Sequence, residues 1–175
     1  MIHTQPTYHA SACTVFKKTK ETFGELSNMV ANFPLVVNDI PIKTSEALYQ
    51  LCRFPEAPNI QREIVEQASP MGVKLKSKKY KSSTRNDLMD VREEIMWWCL
   101  KVKLACNIDR FGKVLEDTGN NPIVEDSHRD RFWGAVRSKE NPDILIGENK
   151  LGKLLMKLRA LYREGVHKRL PPLNL

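Results

Sequence analysis

Apolar and polar positions predict short strands near the start of the chain and helices after it. Residues 1–11 carry few large apolar groups and read as a loose leader. The domain proper is expected over 12–166, with a tail over 167–175. Thr14-Val15-Phe16 reads as a short strand and Gly24-Glu25-Leu26-Ser27-Asn28 as a turn. Leu35-Val36-Val37 and Ile40-Pro41-Ile42 flank Asn38-Asp39. Asn and Asp tolerate the left-handed backbone of a tight turn, so 35–42 is expected to form a hairpin.

From Ser45 the period becomes helical. Ala47, Leu48, Leu51 and Cys52 recur at helical spacing behind Thr44 or Ser45, either of which can cap, and Pro55 ends the run. Residues 58–67 supply a second helix with Ile60, Ile64 and Val65 inward. Ser69-Pro70 gives a third a cap and a first-turn proline. The longest helix is predicted over 87–107 as the central one, with Leu88, Val91, Ile95, Trp98, Val102 and Ala105 inward. A helix over 111–117 should end near Gly119, which suits the left-handed position after a helix. Residues 123–125 and 133–136 read as brief segments, and the final helix is expected over 149–164 with Leu151, Leu154, Leu155, Leu158 and Leu161 on one side. The fold class is therefore α+β, mostly α, a single compact domain with a small N-terminal β-sheet.

Composition narrows the class. The chain has 175 residues, 41% hydrophobic and 28% charged, which suits one globular domain and excludes wholesale disorder, collagen and repeat arrays. Its longest apolar run, residues 95–100, is far short of the ~20 needed to span a bilayer. Residues 1–14 show neither a basic start nor an apolar run, so no secretory signal and a cytosolic location are expected. Cys13, Cys52, Cys99 and Cys106 form no pair at metal-ligand spacing and do not cluster with His3, His9, His128 or His167. Reduced thiols and no structural zinc are expected.

The 28 basic and 21 acidic residues leave a net charge of +7, unevenly placed. Lys74, Lys76, Lys78, Lys79, Lys81 and Arg85 form a run without an acid, and Lys153, Lys157, Arg159, Arg163, Lys168 and Arg169 load the C-terminal end. Such runs meet phosphate or stand as a solvated basic face. No aromatic strand platform or helix-turn-helix pattern points to sequence-specific nucleic-acid recognition. A phosphate-bearing small ligand, or a modified nucleic acid gripped by its backbone, fits the charge.

Two acids stand out. Glu46 falls in a helix first turn, where it is either a site carboxylate or a capping-turn acid favoured by the helix dipole. Asp130 precedes Phe132-Trp133-Gly134, so it either sits beside a stacking surface for a planar base or makes an Asx-turn before a core Trp. Gly147, Asn149, Leu151 and Gly152 form a spaced GxNxLG that suits a helix start with a packing glycine. Trp97 and Trp98 point about 100° apart on one helix, one expected in the core and the other on a cleft.

Taken together, these segments resemble the NADAR family, also called YbiA-like. The matching strings are Gly24-Glu25-Leu26-Ser27-Asn28, Ser45-Glu46-Ala47-Leu48-Tyr49-Gln50 with Phe54, Arg92 with Met96, Thr118-Gly119, and Glu125 through Trp133-Gly134. Gly147-Glu148-Asn149-Lys150-Leu151-Gly152 with Leu154-Leu155-Met156 and Arg159 completes the series, which runs from about residue 14 to 164. The chain departs from the family at Asp87-Leu88, where Asp-Trp is usual, and at Lys103-Leu104-Ala105-Cys106-Asn107, where Lys-Phe-x-Gln-Asn is usual.

The resemblance implies hydrolysis of an N-glycosidic bond at a phosphorylated ribose, with no metal and no cofactor. Removal of ADP-ribose from a modified guanine is the first reading. Cleavage of riboflavin-pathway phosphoribosylamino-pyrimidine intermediates is the second, and a non-catalytic ADP-ribose or nucleic-acid binding module the third. The partner is accordingly a ribosyl-phosphate small molecule or ADP-ribosylated nucleic acid, without a membrane. The matching polar positions are Glu25, Asn28, Glu46, Arg92, Asp130, Trp133 and Asn149. In the expected chemistry Glu46 stabilises an oxocarbenium-like centre or orients water, and Asp130 is the second acid. Trp133 stacks on the base, and Arg92 or Lys74 meets phosphate.

Overall fold

A computed structural model of the chain describes residues 5–165. The tail expected over 167–175 lies outside them. The strands are β1 (Thr7–His9), β2 (Thr14–Phe16), β3 (Leu35–Val37), β4 (Ile40–Ile42), β5 (Ile123–Glu125), β6 (Val136–Arg137) and β7 (Ile144–Ile146). The helices are α1 (Ser45–Leu51), α2 (Pro58–Val65), α3 (Pro70–Lys79), α4 (Leu88–Cys106), α5 (Ile108–Asp117) and α6 (Lys150–Arg163). The class is α+β. The elements group into two units, residues 28–111 and residues 5–27 with 112–165.

In the unit 28–111, β3 and β4 pair antiparallel with Val37 opposite Ile40. Asn38 and Asp39 both take positive φ, at 50° and 62°, as the hairpin expectation requires. Thr44 Oγ1 accepts the Ala47 N–H at 3.1 Å to cap α1, and Ser69 Oγ accepts that of Gly72 at 3.1 Å to cap α3. Every residue of α1 is buried, because α2, α3, α4 and β4 all pack on it. The central helix of this unit is thus α1 and not the longest one.

The inward face of α4 matches the predicted one only at Val102. Met96, Cys99, Leu100, Val102, Lys103 and Leu104 are buried against α1 and β3, and Ala105 is exposed. The predicted stripe of Val91, Ile95 and Trp98 instead lines a cavity of about 550 Å³. Its apolar character serves a hollow surface, which periodicity alone does not distinguish from a core. Neither Trp97 nor Trp98 is buried.

Lys103 is 1% exposed, with its ammonium 4.0 Å from the Phe111 ring centre and 4.9 Å from that of Phe33. The two rings are themselves 5.2 Å apart. Aromatic faces offset part of the cost of taking a charge out of water.

In the second unit β1 pairs antiparallel with β7, and β7 with β6. Within the leader expected over 1–11, residues 7–9 form a strand tied to a partner more than a hundred residues away. No local pattern announces a three-residue strand with so distant a partner. β2 lies parallel to β5, so the sheets draw strands from both ends of the chain. α6 packs on β5, and Gly152 is required there because a Cβ would fall on the Ile123 carbonyl. Arg159 Nη1, buried, donates to Thr118 Oγ1 at 2.7 Å and to the Asn121 carbonyl at 2.9 Å, fixing α6 to the chain after α5.

Candidate functional site

A short helix whose polar side chains are buried is costly unless those groups are paired or reserved for a ligand. In α1, Ser45, Glu46 and Gln50 are all buried. Gln50 Nε2 donates to Glu46 Oε1 at 2.9 Å, and Gln50 Oε1 accepts from Arg53 Nη1 at 2.8 Å. Arg53 also donates to Ser77 Oγ at 3.1 Å and Thr84 Oγ1 at 3.4 Å. Lys74 Nζ of α3 lies 3.6 Å from Glu46 Oε1. Both partners thus meet the same oxygen, Oε1, of a residue only 7% exposed.

Beside it sits unused hydrogen-bonding capacity. The Glu46 N–H donates to the Asn28 carbonyl at 3.0 Å, which places Asn28 against the first turn of α1. Asn28 Nδ2 contacts Met96 Sδ at 3.0 Å, while Asn28 Oδ1 and Ser45 Oγ are buried without a partner. A fixed carboxylate thus lies beside two buried oxygens that the fold leaves without a partner. Tyr49, on the same helix, is pushed up to about 12 by burial, opposed in part by the Arg53 guanidinium.

Among the predicted site residues, this unit brings Asn28, Glu46 and Lys74 together. Arg92 shares the unit, and its Nη1 reaches Met89 Sδ on its own helix at 3.8 Å. The lysine run is partly matched by acids, with Lys76 on Glu63 at 3.1 Å and Arg85 on Asp87. Lys78 and Lys81 remain exposed.

The other unit holds Glu25, Asp130, Trp133 and Asn149. Glu25 is exposed in a 3-10 turn (Gly24–Leu26). Asp130 Oδ1 accepts the N–H groups of Phe132 at 2.8 Å and Trp133 at 2.9 Å, the Asx-turn alternative. Trp133 is half-buried and meets Phe132 edge-on at 4.9 Å. Its loop carries the start of α6: the N–H groups of Glu148, Asn149, Lys150 and Leu151 donate to the carbonyls of Arg131, Gly134, Phe132 and Trp133. Asn149 is fully buried, donating from Nδ2 to the Ile123 carbonyl at 2.8 Å and accepting the Glu125 N–H at 3.2 Å. Both ends of its amide are therefore spent on β5.

Gln50 and Ser45 were not singled out from sequence. The Glu46–Gln50 spacing of i, i+4 carries a usable signal, since such pairs meet on a helix. Among the described residues no group of three or more His, Cys, Asp and Glu is placed to hold a metal, and no helix is long and apolar enough to cross a membrane.

The NADAR domain model matches residues 15–163. The N-glycosidase YbiA of Escherichia coli K12 is 28% identical over 144 residues, covering 82% of this chain and 84% of that one. A riboflavin biosynthesis protein of Vibrio vulnificus is 27% identical over 151 residues, and the match spans only 38% of that protein's length. The chloroplastic riboflavin biosynthesis protein PYRR of Zea mays is 29% identical over 159 residues, 24% of its length. The NMR structure of Escherichia coli YbiA superposes with a TM-score of 0.70 at 25% identity, covering 96% of this chain and 95% of that one.

Proposed function

The chain belongs to the NADAR family, and from that premise we propose that it is an N-glycosidase that hydrolyses a ribosyl C1–N bond, removing ADP-ribose from a modified guanine. The observation that carries the reading is the buried Glu46 carboxylate, held by Gln50 and Lys74 beside the buried, unpartnered oxygens Asn28 Oδ1 and Ser45 Oγ. Breaking the C1–N bond builds positive charge on the ribose, and a preorganised carboxylate favours that charge over the neutral ground state. The same carboxylate orients the attacking water and accepts its proton. Ribose hydroxyls donate to Asn28 Oδ1 and Ser45 Oγ, which lose their burial cost when occupied.

The ADP-ribosyl substrate is supported by the surface leading away from Glu46. Lys74 stands at the carboxylate, and exposed Lys78 follows one turn along the same face of α3. Two cations in series suit a diphosphate better than a single phosphate. Asp130 is assigned a positioning role within its own unit, since its Oδ1 fixes the backbone of Trp133. Asn149 likewise positions β5 against α6.

A second reading, cleavage of a phosphoribosylamino-pyrimidine, is favoured by the names of the Vibrio and maize relatives. Mass spectrometry of reactions with ADP-ribosylated guanine oligonucleotide and with the pyrimidine substrates, with Glu46→Gln alongside, separates the two. Release of ADP-ribose that is lost in the variant is expected. Cleavage of the pyrimidine alone would transfer the assignment to the second reading, and binding without cleavage of either would make the protein a ribosyl-phosphate binder.

A further inference from the structure

Glu46, Gln50 and Arg53 stand at i, i+4 and i+7, the spacing that lines side chains along one face of a helix. Arg53 lies just past the end of α1 and continues that line. Its Nη1 donates to Gln50 Oε1 at 2.8 Å and to Ser77 Oγ at 3.1 Å, and its Nη2 donates to Thr84 Oγ1 at 3.4 Å. Its carbonyl accepts the Arg85 N–H at 2.9 Å. Arg53 is therefore held by α3 and by the segment ahead of α4, through bonds that do not involve Glu46.

The sense of this row of bonds follows from the groups themselves. A guanidinium only donates, so Gln50 must turn its amide oxygen toward Arg53. Its amide nitrogen then faces Glu46 and donates to Oε1 at 2.9 Å. An ionised carboxylate only accepts, so donors and acceptors match from one end to the other. Lys74 Nζ approaches the same Oε1 at 3.6 Å. Gln50 is 6% exposed and Ser77 is 0% exposed, so little water is at hand to replace a lost partner.

We propose that Arg53 is a positioning residue for the reaction: by fixing the Gln50 amide it ties Glu46 Oε1 to the protein and leaves Oε2 as the oxygen that meets the ribose and the attacking water. The proposal deepens the N-glycosidase reading and rests on it. Arg53 acts through Gln50 and not on the substrate. Without the guanidinium the amide is free to turn over, which sets its oxygen against Oε1, acceptor facing acceptor. The carboxylate then rotates about its last side-chain bond and must be brought back into place at each turnover. That loss of preorganisation falls on kcat and leaves KM little changed.

The test measures kcat and KM of the full-length protein on ADP-ribosylated guanine oligonucleotide and on the phosphoribosylamino-pyrimidine. Wild type is compared with Glu46→Gln, Gln50→Ala, three substitutions of Arg53, and the double variant Gln50→Ala/Arg53→Ala. Arg53→Ala should lower kcat by about 10²-fold, the scale of a small misplacement of a reacting group. Because Nη1 alone serves Gln50 and Ser77, a lysine ammonium can take its place, so Arg53→Lys should recover most of the rate and Arg53→Met should not. The double variant should be no slower than Gln50→Ala, since the two residues act as one unit. In the ligand-free protein, the Gln50 side-chain amide protons should exchange with water faster in Arg53→Ala than in wild type. Unchanged exchange would overturn the proposal, as would equal losses in Arg53→Lys and Arg53→Met or full additivity in the double variant. A wild-type kcat in Arg53→Ala beside an inactive Glu46→Gln would overturn it while leaving the N-glycosidase reading intact. Full activity in Glu46→Gln, or no cleavage of either substrate by wild type, would overturn that reading and the proposal together.

Discussion

Lys74 Nζ stands 3.6 Å from Glu46 Oε1, which joins the lysine run of α3 to the buried carboxylate of α1. Sequence pattern alone left Glu46 as either a site carboxylate or a capping-turn acid and Lys74 in a basic run, and the family resemblance implied that both serve one site. Their side chains meet as an ion pair.

Glu46→Gln tests the carboxylate directly. The substitution keeps size and a hydrogen-bonding end toward Gln50, so unfolding midpoints should shift little. Turnover is expected to fall by roughly 10²–10³, the cost of losing one electrostatic contact to the transition state. Single-turnover assays of base release check this, and a rate near wild type would remove Glu46 from the chemistry.

Lys74→Ala addresses the second member of the pair. The lysine is 47% exposed, so the ion pair contributes less than about 1 kcal/mol to stability. The expected loss is in kcat/KM, greater for a diphosphate substrate than for a monophosphate and reduced in high salt. Equal losses on the two substrates would argue that Lys74 serves Glu46 alone.

Asp130 separates a positioning role from an acid role. Asn retains an oxygen for the Phe132 and Trp133 amides, whereas Ala does not. Asp130→Asn should keep both the rate and the pH–rate profile, and Asp130→Ala should raise KM. A changed pH profile in Asp130→Asn would restore the acid–base assignment.

Asn149→Ala removes both bonds to β5 and leaves the Ile123 carbonyl and Glu125 N–H unpaired. A destabilisation of about 2–4 kcal/mol is expected in urea unfolding. A change well below 1 kcal/mol would mean that β5 does not depend on the amide.

Tyr49 makes an alkaline prediction. Its phenol is pushed from 10.0 to about 12 by burial. Below pH 10 both folded and unfolded states hold the proton. Above it the unfolded state releases the proton first, so stability falls until the folded phenol also titrates near pH 12. This group accounts for roughly 2–3 kcal/mol over that window. The difference between wild type and Tyr49→Phe in unfolding free energy, followed from pH 9 to 12, should show the fall.

Much of the fold was legible because its signals are local. Thr44 and Ser69 cap where their residue types suit, Pro58 and Pro70 open helices, and Asn38-Asp39 turns the hairpin. What escaped is non-local. β1 and β7 are three-residue strands whose pairing joins distant parts of the chain. The apolar stripe of α4 was visible, but whether Val91, Ile95 and Trp98 meet a core or a cavity depends on what packs opposite. In the site, Glu46 was visible as a residue in a first turn, while its burial follows from four elements closing around α1. Asn149 was visible within its motif, but its bonds to β5 depend on tertiary approach.

The carbonyls of 131–134 and the amides of 148–151, which lead into α6, are joined by four backbone bonds. Mechanically, loop and helix form one lever: displacing the loop by itself would break all four bonds at once, so it travels with α6 or not at all. Trp133 is thus mounted on a rigid arm, and the freedom left to its ring is rotation about side-chain bonds, on the picosecond-to-nanosecond scale, and not the slower opening of a backbone flap.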